Sequence, residues 1–158
     1  MEGTRFDESG FFAAIDQSGA RVLLIGRRAL AALGMPVLTA DYDLWVHFED
    51  IEALNDAAAP FDLIFNATPD VARRRGRYVL ENDEHVDVMI ARSQSTKDGQ
   101  ALAFEEAWRD RVVLRSSDYS VSVPSIEHLI ITKRWAMRPR DLDDIRFLEG
   151  IRGQGEKS

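Results

Sequence analysis

The chain has 158 residues, 45% of them hydrophobic and 30% charged, with a formal net charge of −7 and no cysteine. That length fits one domain, or a compact domain with a small appendage, and the balance suits a soluble globular fold rather than a disordered chain. Disulfides, thiolate chemistry and cysteine-ligated zinc or iron–sulfur centres are excluded, and the acidic balance opposes avid nonspecific binding to nucleic acid.

The elements follow in chain order. "SGFFAAIDQSG", Ser9 to Gly19, has helical spacing at Phe12 and Ile15, with Gly19 as a stop. "RVLLIG" reads as a buried strand, and Arg27 to Leu33 as a short helix ending at Gly34. "DYDLWVHF", Asp41 to Phe48, alternates strictly and reads as a strand; "EDIEALNDAAA" reads as a helix that ends before Pro60. From Phe61 to Arg75 the pattern is poor. "RYVLENDEHVDVMIA" reads as two strands around a turn at Asn82 and Asp83, and "GQALAFEEAWRD" as a helix. "RVVLRSSDYSVSVP" reads as a hairpin, and "SIEHLIITKRWAM" and "DLDDIRFLEGI" as helices separated by Pro139. No apolar run approaches the roughly 18 residues of a membrane span. The opening "MEGTRFDESG" is acidic and polar, unlike a signal peptide. A cytoplasmic location and no membrane partner are therefore expected.

This mixture of hairpins and strand–helix–strand turns implies an α+β (α/β) fold. A mixed β-sheet would carry helices mainly on one face and be followed by a mostly helical C-terminal part. The expected organisation is a core over residues 1–95, a helical part over 96–151 packed on it as one compact unit, and a flexible tail over 152–158.

The carboxylates carry the chemistry. Side chains i and i+2 of a strand share a face, about 6.5–7 Å apart. Tyr42, Leu44, Val46 and Phe48 form an apolar stripe, so Asp41 and Asp43 look the other way, with Trp45 and His47. On the later strand Val86, Val88 and Ile90 form the stripe, and Asp87 faces opposite with His85 and Met89. Were these strands neighbours, three carboxylates would converge, and like charges that close call for cations. Mg²⁺ commonly joins a few carboxylates to substrate phosphates. The bland alternative for each aspartate is a solvated edge residue.

Other residues have two readings each. Gly26 ends a strand at a helix start, where free N–H groups attract phosphate, but many such turns carry glycine for steric reasons. Ile126, Leu129, Ile130 and Met137 make a helical stripe that includes Lys133. That lysine either snorkels at the edge of a core or reaches across a cleft. Arg138, Arg140 and "DLDD" read as a helix junction. The run "RRRGR", Arg73 to Arg77, reads as a solvated face, or else as a grip on a phosphate-bearing acceptor. His85 is a surface histidine or orients Asp87, and Trp45 stacks on a base or packs beneath the C-terminal helices.

With "IGRRALAALGMPVLTADYDLWV", then "HVDVMIA", then "VPSIEHLIITKRWAMRPRDLDDIRFLE", the chain resembles the nucleotidyltransferase superfamily with the DNA polymerase β-like fold. It is most similar in pattern to the small bacterial abortive-infection and toxin-type members. The resemblance runs from about Arg21 to Glu149, loosely between Glu49 and Gly76. It implies a nucleotidyltransferase-like core in which Asp41, Asp43 and Asp87 are catalytic and ligate Mg²⁺ (or Mn²⁺), Asp87 helping to activate an acceptor hydroxyl. It also implies a nucleotide site at Gly26, Arg27, Thr39 and Lys133, with the triphosphate over Gly26 and in contact with Lys133. Arg27 departs from the small residue usual there: its guanidinium either pairs with phosphate or fills the phosphate site. A basic residue common before the Thr-x-Asp segment is replaced by Pro36, Val37 and Leu38.

The expected activity is transfer of a nucleoside monophosphate from an NTP to an RNA or protein hydroxyl. The resemblance places it in a toxin–antitoxin or phage-defence setting, with an antitoxin as partner. The alternative is a catalytically inactive binding module of the same fold.

Overall fold

The computed structural model describes residues 6–90, 94–95, 101–135 and 138–156. Helix α1 (Glu8–Ser18) is capped by Asp7, whose carboxylate accepts from the Gly10 N–H, and closes on Gly19 in the left-handed region. It leads into β1 (Val22–Ile25), α2 (Gly26–Ala32), β2 (Tyr42–Val46) and α3 (Ile51–Ala58). After a 3₁₀ turn come β3 (Ile64–Phe65), α4 (Pro69–Arg75), β4 (Arg77–Glu81) and β5 (His85–Ile90). Two small antiparallel pairs follow, β6 (Gln94–Ser95) with β7 (Ala101–Leu102) and β8 (Val112–Arg115) with β9 (Ser120–Val123), on either side of α5 (Phe104–Arg109). Helices α6 (Ile126–Arg134) and α7 (Pro139–Glu156) complete the described chain.

The central sheet has the order β1-β2-β5-β4-β3. Strands β2 and β5 are parallel, and every other pairing in it is antiparallel. The mixed α+β sheet expected from the sequence is therefore present. The register puts Tyr42 opposite Val86, Leu44 opposite Val88 and Val46 opposite Ile90. These six belong to the larger core, where Phe11, Phe12, Ile51, Leu54, Leu129 and Leu148 join them. Burying that stripe sets the register, because a slip of one residue would turn every apolar side chain to the other face.

The opposite face is not simply solvated: of the two readings of Trp45, packing beneath the later helices holds, and His47 on the same face is buried as well. Trp45 is fully buried with Leu23, Leu102, Phe104 and Ala107, and its ring meets Phe104 and Trp135 edge-on. A strand's alternation names two faces; here α5 and the end of α6 cover part of the second. The uncovered part is the end of the strands bearing Asp43 and Asp87.

Three readings of elements change. The strand through the aspartates starts at Tyr42, leaving Asp41 in the loop before it. The segment "GQALAFEEAWRD" supplies β7 as well as α5, while its Gly99 and Gln100 lie outside the described residues, as do Met137 of the α6 stripe and Ala91 after β5. Helix α7 begins at Pro139 and runs on to Glu156, through most of the segment read as a tail. The region from Phe61 to Arg75 resolves into β3 and α4; α4 is capped by Thr68, opens on Pro69 and stops at Gly76.

Candidate active site

The site grows from the end of the β2–β5 pair. Asp43 and Asp87 are direct register partners, and Ile25, the last residue of β1, pairs with Asp43 from the other side. Gly26 follows at φ 72°, and a Cβ built on it would lie 2.5 Å from Asp43 Oδ2. Glycine is required twice over here: for the left-handed backbone and for the close approach of the carboxylate. Asp43, Asp87, Gly26, Asp41, Lys133 and Arg138 help line a cavity of about 260 Å³, which Arg140, Asp141 and Met89 also border.

Asp41 reaches this cavity from the loop, which is fixed from behind by Arg28. The guanidinium of Arg28 donates to the carbonyls of Asp41 at 3.0 Å and Thr39 at 2.7 Å, pairs with Glu8 at 2.8 Å, and stacks 3.8 Å over the Tyr42 ring. Thr39 does not border the cavity; its hydroxyl accepts from the Asp41 N–H at 3.1 Å and so shapes the approach to the aspartate. The loop otherwise lacks regular structure, so Arg28 positions Asp41 together with Thr39. Nothing in the sequence pattern singles Arg28 out.

Burial raises the Asp43 carboxyl above the ordinary carboxylate range, and the charges of Asp87 and then Asp41 push it further; Lys133 and Arg138 oppose the shift. The negative charge of this half-buried carboxylate is therefore disfavoured. Among the described residues no group of three acidic or histidine side chains is gathered tightly enough to hold an ion alone. Asp43 and Asp87, register partners that border one cavity, are the carboxylates that could hold a hard cation completing its shell with phosphate oxygens and water, the usual habit of Mg²⁺. His85 stands beside this pair, its Nε2 3.1 Å from Asp87 Oδ1 and its Nδ1 3.6 Å from Glu81.

The C-terminal helices contribute a buried charge network. Lys133 Nζ lies 2.8 Å from Asp144 Oδ2 and 4.0 Å from Asp141 Oδ1. Asp141 accepts from the Arg138 N–H at 2.8 Å and from its Nε at 3.2 Å. Arg27 also turns to Asp144, with Nη2 3.2 Å from Oδ1, so its side chain points to α7 and does not border the cavity. The structure thus brings together Gly26, Asp41, Asp43, Asp87 and Lys133. It leaves Thr39 and Arg27 outside the cavity wall.

Arg138, Arg140 and Asp141 border the cavity and Asp144 holds Lys133, whereas the sequence pattern marks this stretch only as a helix junction. Their signal was available: Asp141 and Asp144 are three apart on one helical face and follow a lysine on an apolar face.

No family model matches the sequence, and no curated protein matches it by sequence. Solved structures do match by fold. The chain has the nucleotidyltransferase fold. A structure of a candidate nucleotidyltransferase from Thermotoga maritima is 15% identical, with a TM-score of 0.55 over 94% of this chain and 89% of that one. The lincosamide antibiotic adenylyltransferase LnuA, in a lincomycin-bound structure, is 14% identical, with a TM-score of 0.61 over 94% and 99%. ANT(2″)-Ia in complex with adenylyl-2″-tobramycin is 17% identical, with a TM-score of 0.62 over 93% and 88%. No helix among the described residues is long and apolar enough to cross a membrane.

Proposed function

We propose that the protein is a metal-dependent nucleotidyltransferase that moves a nucleoside monophosphate from an NTP to an acceptor hydroxyl. The observation that carries this reading is the side-by-side pairing of Asp43 with Asp87 on the wall of a cavity that Lys133, Arg138 and Arg140 also border, on a sheet of the nucleotidyltransferase fold. Antibiotic adenylyltransferases among the structural neighbours support transfer of a nucleoside monophosphate in general.

The triphosphate would lie over the Gly26 turn, where Lys133, Arg138 and Arg140 neutralise its charge. Mg²⁺ or Mn²⁺, held by Asp43 and Asp87 with Asp41, would supply charge neutralisation at the α-phosphate and orient it. The acceptor oxygen forms the new bond to the α-phosphorus as the bond to the bridging oxygen breaks and pyrophosphate leaves. Asp87 takes the hydroxyl proton, and His85, within hydrogen-bonding distance, orients its carboxylate. The acceptor would be an RNA end or a protein hydroxyl, and the setting toxin–antitoxin or phage defence with an antitoxin as partner.

Transfer of α-³²P from each labelled NTP into cell lysate, with Mn²⁺ or Mg²⁺, tests the reading. Label should appear with the wild type and vanish in Asp43→Asn and Asp87→Asn. Label transfer that survives both substitutions removes the mechanism.

One observation favours a second reading, a non-catalytic binding module: Lys133 and Arg27 are already engaged by Asp144. In that case calorimetry shows no heat of Mg·NTP binding even at millimolar ligand.

A further inference from the structure

A second cavity, about 310 Å³ in volume, adjoins the carboxylates from the β4 side. Asp43, Asp87 and Met89 border both hollows; the new wall is made by Arg75, Gly76, Arg77 and Tyr78. Arg75 ends α4, Gly76 turns at φ 80°, and Arg77 begins β4 opposite Met89. The turn sets both arginines against one hollow. By the alternation of β4, Arg77 shares its face with Val79, the register partner of Asp87.

The arginine run therefore divides by function. Arg73 is structural: it makes a two-pronged pair with Glu52 and donates to the Phe48 carbonyl at 3.0 Å. Arg75 and Arg77 are exposed and have no ion-pair or hydrogen-bond partner among the described residues. Two such guanidiniums on a cavity wall beside carboxylates are poorly explained by folding. They are suited to a phosphate, which presents matched acceptor oxygens to planar donors.

Order across the sheet gives the hollow its role. Gly26 lies at the β1 side, Asp43 and Asp87 in the middle, and the arginines at the β4 side. In-line displacement puts the attacking oxygen opposite the leaving pyrophosphate. With the triphosphate over Gly26, the acceptor must enter from the β4 side, past Arg75 and Arg77. We infer that this cavity binds a phosphate carried by the acceptor itself, so that the acceptor is a phosphorylated hydroxyl compound, foremost the 3′ end of an RNA. In that ligand the terminal phosphate and the attacking hydroxyl are one ribose apart, whereas a protein serine, threonine or tyrosine brings no phosphate with its hydroxyl. The inference rests on the nucleotidyl-transfer reading for its chemistry. The phosphate grip is a separate property and is testable without turnover.

Fluorescence anisotropy with a labelled single-stranded oligoribonucleotide ending in a 3′ hydroxyl tests it, in Mn²⁺ buffer over a salt series. The wild type should bind, and Arg75→Gln with Arg77→Gln together should weaken binding at least tenfold. The double variant should also lower the slope of log affinity against log salt by about 0.7, the counterion release of the one phosphate that the two arginines grip on a single strand. Arg146→Gln, a loss of one exposed charge on α7, should leave binding as it was. Circular dichroism of each variant confirms that it is folded. Labelled transfer to the oligoribonucleotide, a nucleoside 5′-monophosphate and a free nucleoside then separates a nucleic-acid end from a small phosphorylated acceptor; the nucleoside should be the poorest. No binding by wild type, equal binding by the double variant, or labelling of a protein acceptor undiminished in the double variant overturns the inference. Arginine-dependent binding without transfer keeps the phosphate site and removes the nucleotidyltransferase reading instead.

Discussion

Asp43 occupies the space that a side chain on Gly26 would need. Oδ2 of the aspartate lies 2.5 Å from the position of a Cβ on the glycine, and its own Cβ lies 3.0 Å away. The glycine thus has a direct steric role in placing the central carboxylate, beyond any part its backbone plays toward phosphate.

Gly26→Ala should therefore damage the site before it damages the fold. The left-handed backbone at φ 72° costs a non-glycine residue about 1–2 kcal/mol, and Asp43 must also swing away. Urea denaturation should show a loss near that size, while nucleotidyl transfer falls by far more than the stability change explains. A Gly26→Ala enzyme with wild-type turnover would show that the carboxylate is free to move.

Lys133 is expected to act first through the fold. Its ammonium is buried and 2.8 Å from Asp144, and removing one partner of such a pair typically costs about 3–5 kcal/mol. Arg27 also faces Asp144, so Lys133→Met should fall at the low end, near ~3 kcal/mol, by urea denaturation. Arg140 is exposed and borders the same cavity. Arg140→Gln should weaken Mg·NTP binding several-fold in calorimetry with a melting temperature within about 2 °C of wild type, since surface changes are usually within ±0.5 kcal/mol. A stable Lys133→Met protein would mean that the pair is not closed in solution.

The outcome at Lys133 shows what a sequence conveys. Alternation along "DYDLWV" and "HVDVMI" sufficed to turn Asp43 and Asp87 to one face, because period 2 is fixed by the backbone. Whether that face is open depends on partners far along the chain: Trp45 is covered by Phe104 and Trp135, while Asp43 is half-buried and still borders a cavity. Arg27 adjoins Gly26 in sequence, yet its direction is set by Asp144, 117 positions later. The stretch from Phe61 to Arg75 failed for another reason. A strand as short as Ile64–Phe65 has no period to read, although Thr68, Pro69 and Gly76 did mark both ends of α4.

An acid-dependent contribution to stability is expected at Asp50. Its carboxylate accepts from the Arg21 N–H at 2.8 Å, from Nε at 2.7 Å and from Nη2 at 3.1 Å, tying the start of β1 to the start of α3. These hydrogen bonds hold its carboxyl below the ordinary value of 3.8. A lowered folded-state pKa gives stability that is complete above the unfolded value and is lost as pH falls through the folded one. Asp50→Ala should lose roughly 1 kcal/mol at pH 7, after discounting for the partly exposed Arg21. The gap from wild type should narrow below about pH 4, the unfolded range of an aspartate. A pH-independent gap would assign the loss to packing.

Asp43 should behave in the opposite sense. Its folded-state pKa is raised by burial and by the charges of Asp87 and Asp41, so the ionised form costs stability, and that cost grows as pH rises through the folded value. Asp43→Asn removes the charge while keeping the shape. The metal-free variant should accordingly melt a few degrees higher than metal-free wild type at pH 7.5. A divalent cation relieves the same repulsion, so millimolar MnCl₂ should raise the melting temperature of wild type and leave the variant unmoved, with EDTA reversing the gain. Differential scanning fluorimetry with and without chelator reads all of these shifts at once. Equal Mn²⁺ responses in the two proteins would place the cation away from Asp43.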